Sequence, residues 1–210
     1  MHVITFPAGP LQCNCSIIAC PETKEAAVID PGGDVDEILK MLQENGLTVK
    51  YLLHTHAHFD HILGSRELKE KTGAKICLHE GDDWLYENLG MQCGLFGFKS
   101  DEPLPVDVHL NDEEELKIGN IKTKVIHTPG HTPGSLCFEM SAKDNLLYSG
   151  DTLFQHSIGR TDLWGGSFDE IIKSIRGKLF RLDDSTTVVP GHGPNTTIHQ
   201  EKKLNPFVGA

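Results

Sequence analysis

The sequence predicts an α/β (α+β) chain, on three observations. Short apolar runs rich in β-branched residues alternate with stretches whose apolar residues recur at helical spacing. Clusters of Gly, Pro, Asn and Asp mark the joins between them. The 210 residues are enough to bury a substantial core and read as one domain, residues 1–210.

Taken in order, residues 14–20 and 25–30 read as paired strands across the turn Pro21-Glu22-Thr23-Lys24. Asp34 is placed as the cap of a helix, with Glu37 at the capping-box position, Ile38, Leu39, Met41 and Leu42 as the buried stripe and Gly46 as the stop. Residues 51–53 form a short strand, a helix follows over about 62–71 up to Gly73, and residues 75–78 form another strand. Residues 101–112, acidic and Pro-rich, read as a loop. Strands are then expected at 121–126, 135–140, 145–148 and 187–189. A helix over 168–180 has Ser167 as N-cap and Glu170 at the capping-box position, and a last helix lies near 197–204. The 80–110 region clusters Trp84, Tyr86, Leu95, Phe96 and Phe98 around Gly90, Gly94 and Gly97, which suggests a lid or an interface.

Thirty acidic residues against nineteen basic ones give a formal charge of −11. Such a surface repels phosphate backbones, and no Lys/Arg run offsets it, so no nucleic-acid partner is expected. Residues 1–7 lack a basic leader pattern, and no segment approaches the roughly 20 apolar residues of a membrane span. The expectation is a soluble, cytoplasmic protein with no membrane partner. The six cysteines lack C-x-x-C spacing and read as buried small hydrophobes in a reducing compartment. Cys13-x-Cys15 has no matching second pair to make a metal site.

The densest chemistry lies in Thr55-His56-Ala57-His58-Phe59-Asp60-His61. A lone histidine usually ends as a satisfied polar group. Three histidines and an aspartate this close are costly to bury together unless a cation sits among them. Imidazole with carboxylate suits zinc or iron. Three later segments put further ligand types beside tight turns: Thr128-Pro129-Gly130-His131-Thr132-Pro133-Gly134, Ser149-Gly150-Asp151-Thr152, and Val188-Val189-Pro190-Gly191-His192-Gly193.

His-x-His-x-Asp-His, with those segments following in the same order, resembles the metallo-β-lactamase superfamily from Asp30 to His192. The resemblance implies an αββα sandwich of two mixed sheets with helices on the outer faces and the ligand loops at one edge. It also implies two divalent metal ions. His56, His58 and His131 would hold the first, Asp60, His61 and His192 the second, and Asp151 would bridge them. Ions about 3.5–4 Å apart activate a shared water. Asp60 would also be catalytic, orienting that hydroxide and taking up a proton. Asp30 would accept a hydrogen bond from a ligand histidine and fix its tautomer. Thr55 and Thr132 read as turn caps. His54, His79, His127, His156 and His199 match no ligand position and read as structural or exposed.

An aspartate at position 151 resembles glyoxalase II-like hydrolases; the classical zinc β-lactamases carry a cysteine there. Zinc is expected first, with iron or manganese also compatible. Ser157-Ile158-Gly159-Arg160-Thr161-Asp162 is similar to a glyoxalase II loop in which a basic residue at the Arg160 position contacts a glutathione carboxylate. An ion pair with Asp162 is the plainer reading of Arg160. Asp162 and Pro194 stand where that family has glutathione-holding tyrosines, and residues 193–210 leave room for one helix only. The resemblance is therefore to a short glyoxalase II-like hydrolase, with a thioester such as S-lactoylglutathione or another glutathione conjugate as its small-molecule partner. The alternative on the same fold is a persulfide dioxygenase, with one iron held by His56, His131 and Asp151.

Overall fold

The computed structural model describes residues 1–140 and 145–209. Its first sheet contains β1 (His2–Ala8), β2 (Cys13–Ala19), β3 (Glu25–Ile29), β4 (Thr48–Leu53), β5 (Lys75–Leu78) and β6 (Val108–His109), in that spatial order. The β1–β2 and β2–β3 pairs are antiparallel, and the pairs from β3 to β6 are parallel. The second sheet contains β7 (Glu115–Ile118), β8 (Ile121–His127), β9 (Leu136–Met140), β10 (Leu146–Gly150), β13 (Thr187–Pro190) and β14 (Thr196–Thr197). Its order is β14-β13-β10-β9-β8-β7, with only β10 and β13 parallel. A small hairpin, β11 (Leu153–Phe154) and β12 (Ser157–Ile158), follows β10.

Strand alternation divides the core into three layers. Ile18, Ala27, Ile29 and Leu53 of the first sheet pack against Val125, Leu136, Phe138 and Tyr148 of the second. Their neighbours Ile17, Ala26, Val28 and Leu52 point the other way, under the helices α1 (Val35–Glu44) and α3 (Ser65–Thr72). The same layer takes in α4 (Asp83–Glu87) and α5 (Leu89–Leu95). Ile126, Leu147 and Val188 face α6 (Phe168–Gly177) and α7 (Ile198–Leu204) on the opposite side. The result is the expected αββα sandwich of two mixed sheets. Each Ile or Leu buried between the layers contributes about 1.5–3 kcal/mol of transfer free energy.

Several elements depart from the sequence expectation. Asp34 precedes α1 but sits at φ 50°, in the left-handed region, and its side chain makes no cap bond. That conformation turns its carboxylate to accept from the Gly9 amide at 2.8 Å, so it fastens the β1–β2 turn. The helix expected over 62–71 is two, α2 (Phe59–Ile62) and α3, broken at Leu63-Gly64. There the Gly64 amide donates to Pro31 O at 2.8 Å, and a Cβ on Gly64 would lie 2.9 Å from that oxygen. Ser167 does cap α6, accepting from the Glu170 amide. The 101–112 stretch contains β6, and the exposed edge strand β1 was not anticipated. Among the described residues, no helix is long and apolar enough to cross a membrane.

Candidate metal centre

Strands β4, β10 and β13 end at one edge of the sandwich, where open α/β sheets place their binding crevices. His56 and His58 lie in the loop after β4, and Asp60 and His61 on α2 immediately beyond. His131 lies between β8 and β9, Asp151 follows β10, and His192 follows β13. A register shift between β10 and β13 at Tyr148/Gly150, with Gly150 at φ 49°, re-aims the chain so that Asp151 enters the cleft.

The first donor set is His56, His58 and His131. His131 Nε2 lies 3.2 Å from His56 Nε2 and 2.9 Å from His58 Nδ1. The far nitrogens of two of these rings are already committed. His131 Nδ1 donates to Arg160 O at 2.8 Å, and His56 Nδ1 donates to Thr55 Oγ1 at 3.0 Å. Their Nε2 atoms are then bare lone pairs facing one another. Such an arrangement is repulsive unless a cation sits between them. A tetrahedral zinc with Zn–N bonds of about 2.0–2.1 Å has ligand–ligand edges of about 3.3 Å, close to the spacings here.

The second set is Asp60, His61 and His192. Asp60 Oδ2 lies 3.0 Å from His192 Nε2 and 3.5 Å from His61 Nε2. Asp151 spans both sets. Its Oδ1 is 3.5 Å from His61 Nε2, and its Oδ2 is 3.7 Å from His131 Nε2. His61 Nε2 and Asp151 Oδ1 are buried without a hydrogen-bond partner, an expense that a bound cation would remove. Gly191 keeps this gap open, since a Cβ there would come within 2.1 Å of Asp151 Oδ1 and 2.7 Å of His61 Cε1.

Charge states suit the same purpose. Burial, followed by the neighbouring imidazoles, pushes His56 well below its ordinary value; burial and then His131 do the same to His58. Both are therefore neutral rings, able to donate lone pairs. Burial alone would raise Asp60, but His61 and His192 hold it well below the usual carboxylate range, so it stays ionised.

Behind the donors, Asp30 reaches a ring of each set, one directly and one through Thr55. It accepts from His61 Nδ1 at 3.0 Å and from the Thr55 hydroxyl at 2.6 Å, and that hydroxyl in turn receives His56 Nδ1–H. Thr55 is thus a relay to the first set, not a turn cap. Cys13 is buried as expected, yet its Sγ also lies 3.3 Å from His61 Nδ1, and burial pushes its thiol up to about 12. All six cysteines are free and buried.

Two supporting residues carried no sequence signal. Asp82 is fully buried and accepts from the Ala57 amide, the Thr132 hydroxyl and the Gly134 amide at 2.6–2.9 Å, tying the loops of His56 and His131 together. Gln92 binds the Phe59 amide and the Ala57 and Leu85 carbonyls. Neither stands in a motif; only the fold brings them beneath the loop.

The histidines outside the sets behave as expected. His54 bridges Cys77 O and Ser65 Oγ, His79 stacks on His127 at 4.0 Å, and His199 pairs with Asp184 at the surface. Arg160 lines the metal cleft, with its guanidinium gripped bidentately by Asp162 at 2.7 and 2.8 Å. The 80–110 aromatics divide: Tyr86 fills core, while Phe96 stacks on Phe59 at 5.0 Å and walls the cleft.

The family model of the metallo-beta-lactamase superfamily matches residues 8–192. The chain belongs to that superfamily. Within it, the chain is similar to hydroxyacylglutathione hydrolase GloC of Haemophilus influenzae, 39% identical, covering 100% of this chain and 99% of the relative. Among solved structures it is similar to the BLEG-1 B3 metallo-beta-lactamase, at 38% identity, TM-score 0.92 and full coverage of both chains. It is also similar to TTHA1623 in a di-iron-bound form, at 35% identity and TM-score 0.88, covering 99% and 100%. A metallo-beta-lactamase-type His/Asp metal site is thus present, in a superfamily with a di-iron example.

Proposed function

We propose that this protein is a metal-dependent hydrolase that cleaves acyl thioesters, with S-lactoylglutathione as the first candidate. The observation that carries this reading is Asp151, whose two oxygens face different donor sets. Two ions so held would lower the pKa of a shared water towards about 7 and polarise the substrate carbonyl. The name of the GloC relative supports the thioester class.

The chain's own groups supply the rest. Asp60, kept ionised beside His192 and His61, can accept a hydrogen bond from the attacking water and aim it at the carbonyl carbon, while the proton that water loses passes to the departing sulfur. The new C–O bond forms, the C–S bond breaks, and the thiol leaves with a proton. Leu11, Phe96, Leu163 and Trp164 wall the cleft and limit bulk water around the reacting carbonyl. Arg160 stands at the same cleft as a fork for a carboxylate on the thiol carrier, once Asp162 releases it.

The similarity to BLEG-1 favours a second acyl substrate, a β-lactam amide. Metal analysis of the purified protein, with a panel of thioesters and one cephalosporin, tests both. Two ions per chain with thioester turnover is the expected result. Cephalosporin turnover alone would move the substrate class, and one iron per chain with oxygen uptake on glutathione persulfide would make the protein a dioxygenase.

A further inference from the structure

The metal cleft is small. Its cavity is about 160 Å³, below the roughly 300–1,000 Å³ of sites that enclose a drug-sized molecule. A thioester with its carbonyl over the donor sets must extend beyond it. One wall of the cleft, Trp164, stands 6.2 Å from the His58 ring and has a second hollow on it, of about 340 Å³. That hollow is lined by Gly81, Trp84, Leu85, Pro133, Trp164 and Gly165, none of them charged.

The chain has two tryptophans, and both line this hollow. Trp84 is 53% exposed there, so part of its ring is open to a ligand in the hollow. Gly165 sits at φ +75° and packs tightly on Pro133, since a Cβ on it would lie 2.5 Å from Pro133 Cγ. By contrast, the metal cleft offers one cationic side chain, Arg160, already paired with Asp162.

We infer that the hollow between Trp84 and Trp164 is an acyl-group subsite, taking the apolar tail of a medium-chain or aromatic acyl thioester. This rests on the thioester reading above. Trp164 borders both spaces, so a substrate with its carbonyl in one need only pass the edge of that ring to lay its uncharged tail in the other. Aromatic walls with no charge select for apolar surface and leave small polar acyl groups without a partner.

Two arms test this. In the first, kcat and KM are compared for S-octanoyl- and S-lactoylglutathione. The octanoyl ester should have the lower KM, and Trp84→Ala should raise its KM about tenfold more than that of the lactoyl ester. In the second, intrinsic tryptophan fluorescence is titrated with the non-hydrolysable thioethers S-octyl- and S-methylglutathione. A saturable change with the octyl compound, retained in Trp84→Phe where Trp164 alone reports, supports the subsite. Equal KM values for the two esters, or no response to the octyl thioether, would overturn it. Turnover of neither ester would defeat the hydrolase reading, and the titration would then decide the subsite alone.

Discussion

Asp30 accepts two hydrogen bonds from Thr55, from the amide at 2.7 Å and from the hydroxyl at 2.6 Å. Because the same carboxylate also receives His61 Nδ1–H, one residue orients a ring in each donor set. Asp30→Asn should therefore weaken both metal positions, by about 10–100-fold in affinity, measured by competition with a chromophoric chelator. Thr55→Val, which breaks only the relay to His56, should weaken one. Unchanged affinity in both variants would refute the shared role.

Asp151→Ala should remove metal and activity together. Elemental analysis should find about one ion or fewer per chain in place of about two, with circular dichroism preserved. Full activity in a metal-free Asp151→Ala protein would end the hydrolase proposal.

The bidentate grip of Asp162 on Arg160 is exposed and so contributes little to stability. Its release should instead govern carrier recognition. Arg160→Ala is expected to raise KM about 3–10-fold for thiol carriers bearing a carboxylate, with kcat nearly unchanged. Asp162→Ala should lower the same KM by freeing the fork. Identical effects on a carrier without a carboxylate would rule out that role.

His54 sets a pH dependence. Burial, the largest influence, holds its ring below the ordinary imidazole value, with Nδ1–H donating to Cys77 O and Nε2 accepting from Ser65. An unfolded imidazole titrates near about 6.5. Below that pH the unfolded chain binds a proton that the folded chain refuses, so stability is complete above about 6.5 and falls as pH drops towards the folded value. Urea unfolding of chelator-treated protein between pH 5 and 7 should show this slope, and His54→Gln should flatten it by up to about one proton. Parallel slopes in the two proteins would exclude His54 as a source.

The sequence made the donor residues legible because each sits in a local signature. His56, His58, Asp60 and His61 fall within six positions, and His131, Asp151 and His192 each follow an apolar strand into a Gly-marked turn. The strands of the sandwich core were legible for the same local reason, as runs such as Ile17-Ile18 and Val28-Ile29. Edges and supports were not. β1 alternates over Ile4-Thr5-Phe6-Pro7-Ala8, but Pro7 inside so short a run argues against a strand everywhere except at a sheet edge, which only the fold reveals. Asp34 carries the local pattern of a cap, yet a distant amide, Gly9, claims its carboxylate. Asp82 and Gln92 act on loops 25 to 52 positions away, a relationship that only the tertiary fold creates.

Because His56, His58, Asp60 and His61 hang from one sheet while His131, Asp151 and His192 hang from the other, a cation bound in either donor set would act as a clasp across the sandwich. Mass action would then make folding strength follow metal supply. In a metal-starved cell the protein would lose abundance, since an opened chain is the form that proteases take.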